Sequence, residues 1–315
     1  MLQSIWDDVK REFNYGNMVT RIIIVNVAVF VIVNIVWIIA RISNQWTTPE
    51  WYNSFMQFFM MSSDWLHNLT HPWVIITSMF LHEGFWHILW NMLFMYWFGR
   101  IVGDFIGNQR ILPLYLLGGI LGGIVYFLSV NLLPYGGAGA HYALGASAAV
   151  MAIVVAAGAI APDYVMRLLF LGDVKLKYIV AVLVFIDLIG MAGDINTGGH
   201  FAHLGGAAFG WLFVYQLRNG SDWSAPVNKL LDTISDSFKN LFSGRRGGRP
   251  KVVYRNPNRN ANRNRSQASK QRGEAASDNK NYQERLDGIL DKIKKSGYDS
   301  LSKEEKEFLF NASKK

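Results

Sequence analysis

Nineteen consecutive uncharged residues, Ile22 to Ala40, run between Arg21 and Arg41. A bilayer core takes about 20 mostly apolar residues per helix, range about 17–25, so this segment reads as a membrane span. Five further apolar runs follow. They are Gly84 to Gly99, extended on its N-terminal side by Trp73 to Leu81; Ile111 to Leu133; Ala143 to Ala161; Tyr178 to Gly193, shorter and interrupted by Asp187; and Phe201 to Leu217. The expected fold class is all-α, a polytopic membrane protein with a six-transmembrane-helix bundle.

Charge supports the same division. Residues 1–217 carry 9 Lys+Arg and 11 Asp+Glu, a net of −2, and residues 218–315 carry the remaining 22 and 12, a net of +10. An ordinary soluble domain has about 25% charged residues, so 20 charges in 217 residues exclude a soluble enzyme with a uniform surface. The overall +8 is then a property of the tail, and it is no argument for a nucleic-acid partner. The chain has no Cys, which removes disulfides, thiolate metal sites and a cysteine nucleophile together. The N-terminus is mixed in charge, has no small-residue cleavage site before the first apolar run, and does not read as a cleaved signal peptide.

Orientation follows from short basic loops. Lys10, Arg11 and Arg21 precede span 1; Arg100 and Arg110 separate spans 2 and 3; Arg167, Lys175 and Lys177 separate spans 4 and 5; the basic tail follows span 6. The opposite loops hold no Lys or Arg apart from Arg41 at a helix end. Both termini are therefore expected to be cytoplasmic, in the cell (inner) membrane. The first outer loop, Ile42 to Pro72, is rich in Trp, Phe, Tyr and Met, with only Glu50 and Asp64 as acids. It is expected to lie half-sunk in the outer interface without crossing.

Ionisable and polar side chains are costly within lipid and mark functional sites by default. Span 2 contains His82, His87 and Asn91; span 4 opens with Ser147; span 6 opens with His200 and His203. His87 and Asn91 stand four residues apart and share a helix face. Spans 2, 4 and 6 all begin on the outer side, so Ser147, His203, His87 and Asn91 share one shallow depth. Each has a simpler reading alone: Ser147 as a small packing residue and Asn91 as interhelical glue. Together they supply a nucleophilic hydroxyl, a base, and donors for an oxyanion. Gly206 and Gly210 form a G-x-x-x-G step after His203 that would let span 6 approach the Gly145–Ala149 face of span 4. Gly118, Gly119, Gly122 and Gly123 suggest another close contact.

These motifs resemble the rhomboid family of intramembrane serine proteases, bacterial type with a six-span core and a C-terminal cytoplasmic extension. They are H-x-x-x-N from His87 to Asn91, G-x-S from Gly145 to Ser147, and A-H-L-G-G from Ala202 to Gly206. The resemblance covers about Trp73 to Leu217. It implies a Ser147–His203 dyad rather than a triad, cleaving transmembrane or juxtamembrane segments of membrane proteins. It also implies an oxyanion hole from the Ser147 backbone N–H with the side chains of His87 and Asn91. Gly145 belongs to the supporting set, and His82 matches a histidine near the active-site water, supportive rather than catalytic. The sequence departs from the usual motif at Ala148 after the nucleophile, at Val74 after Trp73, and at Met151, where some members have an aromatic residue. His200 receives no role, and Asp187 is either a packing residue of span 5 or part of its gate.

The implied substrates are single-span membrane proteins entering between spans 2 and 5, with Met191 to Gly199 as a lid. No cofactor and no metal are implied. The rivals are a catalytically inactive rhomboid-like binder or quality-control factor, and a small transporter. The transporter is disfavoured because the polar set is confined to one leaflet. The division expected is a protease domain over 1–217, a possible interfacial helix over 218–242, a disordered basic linker over 243–278 that suits anionic lipid, and a small helical domain over 279–315. The last contains Leu286, Ile289, Leu290 and Ile293 at helical spacing and a Ser302/Glu305 capping box.

Overall fold

The computed structural model describes residues 2–135, 139–169, 171–193, 196–242, 285–294 and 297–312. The linker expected over 243–278 lies outside the described residues. The chain divides into two compact units, Met1–Arg246 and Gly247–Lys315. The first unit therefore includes the 218–242 segment that the sequence sets apart.

In the first unit α1 (Leu2–Tyr15) precedes α2 (Met18–Ser43), whose first turn is capped by the Asn17 side chain accepting from the Thr20 N–H. The stretch between α2 and the next long helix folds into α3 (Glu50–Gln57), α4 (Trp65–Thr70) and the short α5 (Val74–Thr77). Then come α6 (Phe85–Ile106), α7 (Ile111–Leu132), α8 (Ser147–Ile160), α9 (Leu176–Gly190), α10 (Thr197–Arg218) and α11 (Ser224–Phe242). A helix thus occupies each of the six apolar segments.

Two of these segments, Met18–Ser43 and Asn108–Leu132, are long and apolar enough to cross a membrane by themselves, and Ser147–Ile160 is apolar but shorter. At 1.5 Å per residue the 14-residue α8 is about 21 Å long, against a hydrocarbon core of about 30 Å. It sits in the middle of the bundle with ten buried residues, enclosed by its neighbours. By contrast, α2 presents Val31, Ile32, Ile35 and Ile39 outward, and α9 presents Val182, Phe185, Ile186 and Ile189. An apolar exterior of this extent is what a helical bundle in lipid requires.

Two expectations change. The extension of span 2 over Trp73 to Leu81 is a separate piece: α5 and a 3-10 turn at Ser78–Phe80, broken from α6 by residues 81–84. His82 therefore stands before α6, not inside it. The fold is mostly helical, but it also holds two antiparallel pairs. β1 (Met61–Ser62) pairs with β2 (Tyr142–Ala143), Met61 opposite Ala143, and β3 (Val165–Leu168) pairs with β4 (Gly172–Lys175) between α8 and α9. Two-residue strands leave no periodicity in a sequence. The first pair nonetheless ties the 42–72 loop to the chain that leads into α8. Ser63 reinforces it: its N–H donates to the His141 carbonyl at 2.8 Å and its Oγ accepts from the His141 N–H at 2.9 Å.

On the opposite end, Arg110 meets Asp222 at 2.7 Å and Trp223 packs on Phe209 with ring centres 6.1 Å apart. Burial alone would raise the Asp222 carboxyl, but hydrogen bonds from Ser224 and Arg110 hold it below the usual carboxylate range. In the second unit α12 (285–294) and α13 (Lys303–Ala312) pair through Lys292 and Glu305 at 2.9 Å, with Ile289 and Leu301 buried. The capping box forms as the sequence predicts: Ser302 N–H donates to Glu305 Oε2 at 2.7 Å, and Glu305 N–H to Ser302 Oγ at 3.2 Å.

Candidate active site

Close packing of α8 against α10 creates the site. A Cβ at Gly206 would overlap the Ala148 carbonyl oxygen, and one at Gly210 would overlap that of Ala152. Only glycine allows the two backbones this near, which is the use expected for the G-x-x-x-G step. Gly118 and Gly122 do the same for α7, facing the Cβ atoms of Ala152 and Ala148. Ser147 is the first residue of α8, so its N–H lies at the positive end of the helix among donors with no intrahelical partner.

The side chains then meet. Ser147 Oγ lies 2.7 Å from His203 Nε2. On the far side of the ring, His203 Nδ1 lies 2.8 Å from Asp187 Oδ1, and His200 Nδ1 reaches the same oxygen at 2.8 Å. An ionised carboxylate can only accept, so each Nδ1 carries its hydrogen. In the neutral imidazole of His203, Nε2 is then the acceptor and the Ser147 hydroxyl donates to it. The expected Ser147–His203 pair stands in contact, and Asp187 extends it to a hydrogen-bonded chain, Asp187–His203–Ser147, with a second histidine on the carboxylate. Asp187 is 6% exposed, and it and Leu176 are the buried residues of α9.

His87, Asn91, Gly145, Ser147 and His203 all line one cavity of about 770 Å³, together with Asp187. Gly145 has φ +128°, a conformation in which other residues are strained, and a Cβ there would sit 3.0 Å from the His87 ring. It therefore lets His87 close over the head of α8, while its N–H donates to the Ser78 carbonyl at 2.9 Å. Asn91 Nδ2 donates to the His87 carbonyl at 2.8 Å, and the same amide nitrogen has a second hydrogen to offer. His82 does not line the cavity. It is buried behind His87, the two rings edge to face at 5.1 Å.

The departures from the resemblance have local consequences. Ala148 is the residue whose carbonyl Gly206 approaches. Val74 is fully buried, and Trp73 anchors the loop by donating its indole N–H to the Phe58 carbonyl at 2.8 Å. Met151 lines the cavity. Of the expected lid, residues 194 and 195 lie outside the described residues, and Thr197 to Gly199 belong to the first turn of α10.

Sequence reasoning left Asp187 without a partner and His200 without a role. The signal was present, since Asp187 interrupts an otherwise apolar run and is expensive there. What pairs with it depends on how α9 meets α10, and no spacing encodes that.

Residues 69–220 match the Rhomboid domain, and residues 276–315 match a family of unknown function, DUF6576. The chain is 28% identical over 178 residues to the mitochondrial presenilin-associated rhomboid-like protein of Rattus norvegicus, covering 54% of this chain and 44% of that protein. The Bos taurus protein of the same name is 28% identical over 224 residues, 66% of this chain and 53% of that one. The mitochondrial RHOMBOID-like protein 12 of Arabidopsis thaliana is 31% identical over 220 residues, 65% and 59%. The chain spans about half the length of these relatives. The matched segment contains every residue of the cavity wall that the motifs name, and on these grounds the chain is a membrane protein of the rhomboid family.

Proposed function

We propose that this chain is an intramembrane serine endopeptidase that cleaves transmembrane or juxtamembrane segments of single-span membrane proteins. One observation carries the reading: Ser147 Oγ stands 2.7 Å from His203 Nε2 while the opposite ring nitrogen is held by Asp187. Ser147 attacks the peptide carbonyl as His203 Nε2 takes its proton, and the same nitrogen returns that proton to the leaving amine. Asp187 is a positioning residue: it keeps the hydrogen on Nδ1 and stabilises the imidazolium as it forms. The Ser147 N–H and the side chains of His87 and Asn91 face the developing oxyanion. Gly145 admits His87, and His82 backs it.

Six crossings with both termini cytoplasmic, in a cell (inner) membrane, belong to this reading. They are supported by the alternation of basic loops and by the apolar exterior of α2 and α9. Lipid would surround that exterior, and the basic tail suits anionic headgroups. The inactive binder or quality-control factor remains the competing reading, and the same experiment separates the two. Purified wild type should cut a single-span substrate, while Ser147→Ala and His203→Ala fall by at least about 10³-fold. A fluorophosphonate should label wild type and not Ser147→Ala. Cleavage that survives either substitution sinks the proposal, and an inert wild type supports the binder.

A further inference from the structure

His200 stands outside the proton path just described, yet it is built into the site as firmly as His203. Its ring lies against Gly190 of α9, where any Cβ would overlap it. With His203 it sits three residues apart on one face of α10, and both Nδ1 atoms converge on one carboxylate oxygen from α9. All three donor atoms lie within 4.8 Å of one another. Two imidazole nitrogens and a carboxylate oxygen from two helices form a donor set of the kind that binds zinc. The side chains of His200 and His203 are 21% and 19% exposed, and Asp187 and His203 face the cavity.

We infer that Asp187, His200 and His203 form an inhibitory site for Zn²⁺, a conclusion that rests on the protease reading for its inhibitory half only. The chemistry follows from the ring. Zinc takes the Nδ1 lone pair of His203, so the single hydrogen of the neutral imidazole must reside on Nε2. That nitrogen then donates to Ser147 Oγ and has no lone pair in the ring plane to accept the serine proton. Zinc also withdraws Asp187 from its positioning role. Nucleophile, base and oxyanion donors all stay in place, but the base is held in the wrong tautomer. Zinc–ligand lengths of about 2.0–2.2 Å require small rotations of three side chains from their present mutual contacts.

The full chain in detergent is dialysed against zinc chloride, and bound zinc is counted per chain for wild type, Ser147→Ala, His200→Ala and His200→Gln. Wild type and Ser147→Ala should each hold a zinc that both His200 variants bind at least about tenfold more weakly. Cleavage by wild type should fall in step with that occupancy and return when a chelator is added. Inhibition of either His200 variant, read as the ratio of its own rates with and without zinc, should need at least about tenfold more metal. Using two variants guards against one that folds poorly, and His67, His71 and His141 remain in all of them as a control for adventitious sites. Equal zinc binding in wild type and both variants would overturn the site. Zinc held through His200 with undiminished cleavage would overturn the inhibition and leave the site. An enzyme inert in every form, with the zinc still lost in the His200 variants, would overturn the protease reading while the metal site stood.

Discussion

At the residue scale, the atom that governs this site is Asp187 Oδ1. It accepts from both His200 and His203, and so decides which tautomer faces Ser147. Asp187→Asn keeps the shape but can present an N–H where the imidazoles need an acceptor. Its kcat is expected to fall between about 10- and 10⁴-fold with KM almost unchanged, because a positioning role is expressed after substrate has bound. Steady-state kinetics on a detergent-solubilised substrate measure this, and a change confined to KM would assign Asp187 to substrate binding instead. His87, Asn91, Gly145, Ser147 and His203 could be read from the sequence because three short motifs carry them. Asp187 and His200 were visible as costly polar residues in apolar runs, but their partnership was not. It depends on the rotation of α9 about its own axis, and nothing in a run of Val, Leu, Ile and Phe sets that angle.

At the scale of elements, the decisive contact is α8 on α10. Gly206→Ala would place a methyl group against the Ala148 carbonyl and force the two helices apart. A cost of about 1–3 kcal/mol is expected from such overpacking. Activity should fall further than stability, since the Ser147–His203 contact spans that same interface. Thermal unfolding in detergent, read beside cleavage, checks both. A Gly206→Ala protein with wild-type stability and rate would mean that the helices do not meet as described. Helices were legible in the sequence wherever an apolar run reached about 16 residues. The break at 81–84, the brevity of α8 and the β1–β2 pair were not, because each is a response to neighbours. The short α8 is tolerated since ten of its residues, from Ala148 to Gly158, are buried in protein. The β1–β2 pair exists because the 42–72 loop needs a partner for its backbone groups, and the segment before Ser147 supplies one.

For the whole molecule, the boundary between chemistry and tail falls later than the charge count suggests. Arg110 with Asp222, and Trp223 on Phe209, tie the segment after α10 back to the bundle. Truncation after Phe242 is therefore expected to leave cleavage and melting temperature close to wild type. Truncation after Arg218 should cost about 2–4 kcal/mol, through the lost tryptophan contact and ion pair. Differential scanning fluorimetry of the two truncations distinguishes them, and equal stability would show that the 219–242 segment adds nothing. The charge imbalance did locate the tail, because an excess of Lys and Arg is a compositional fact that requires no geometry.

What the sequence determined by itself is the apolar or charged character of each segment and the chemical types that three short motifs carry. Hydropathy and charge are summed along the chain and survive without coordinates. What only the tertiary structure decided is which polar groups touch. Ser147 and His203 are 56 positions apart and Asp187 lies between them, 16 before His203, and a hydrogen bond is satisfied or lost within a few tenths of an ångström. Glycines that let backbones approach, a carboxylate shared by two rings, and a strand pair that seats the head of α8 set those distances together. The chain names its reactive groups locally, but their alignment belongs to the packed bundle.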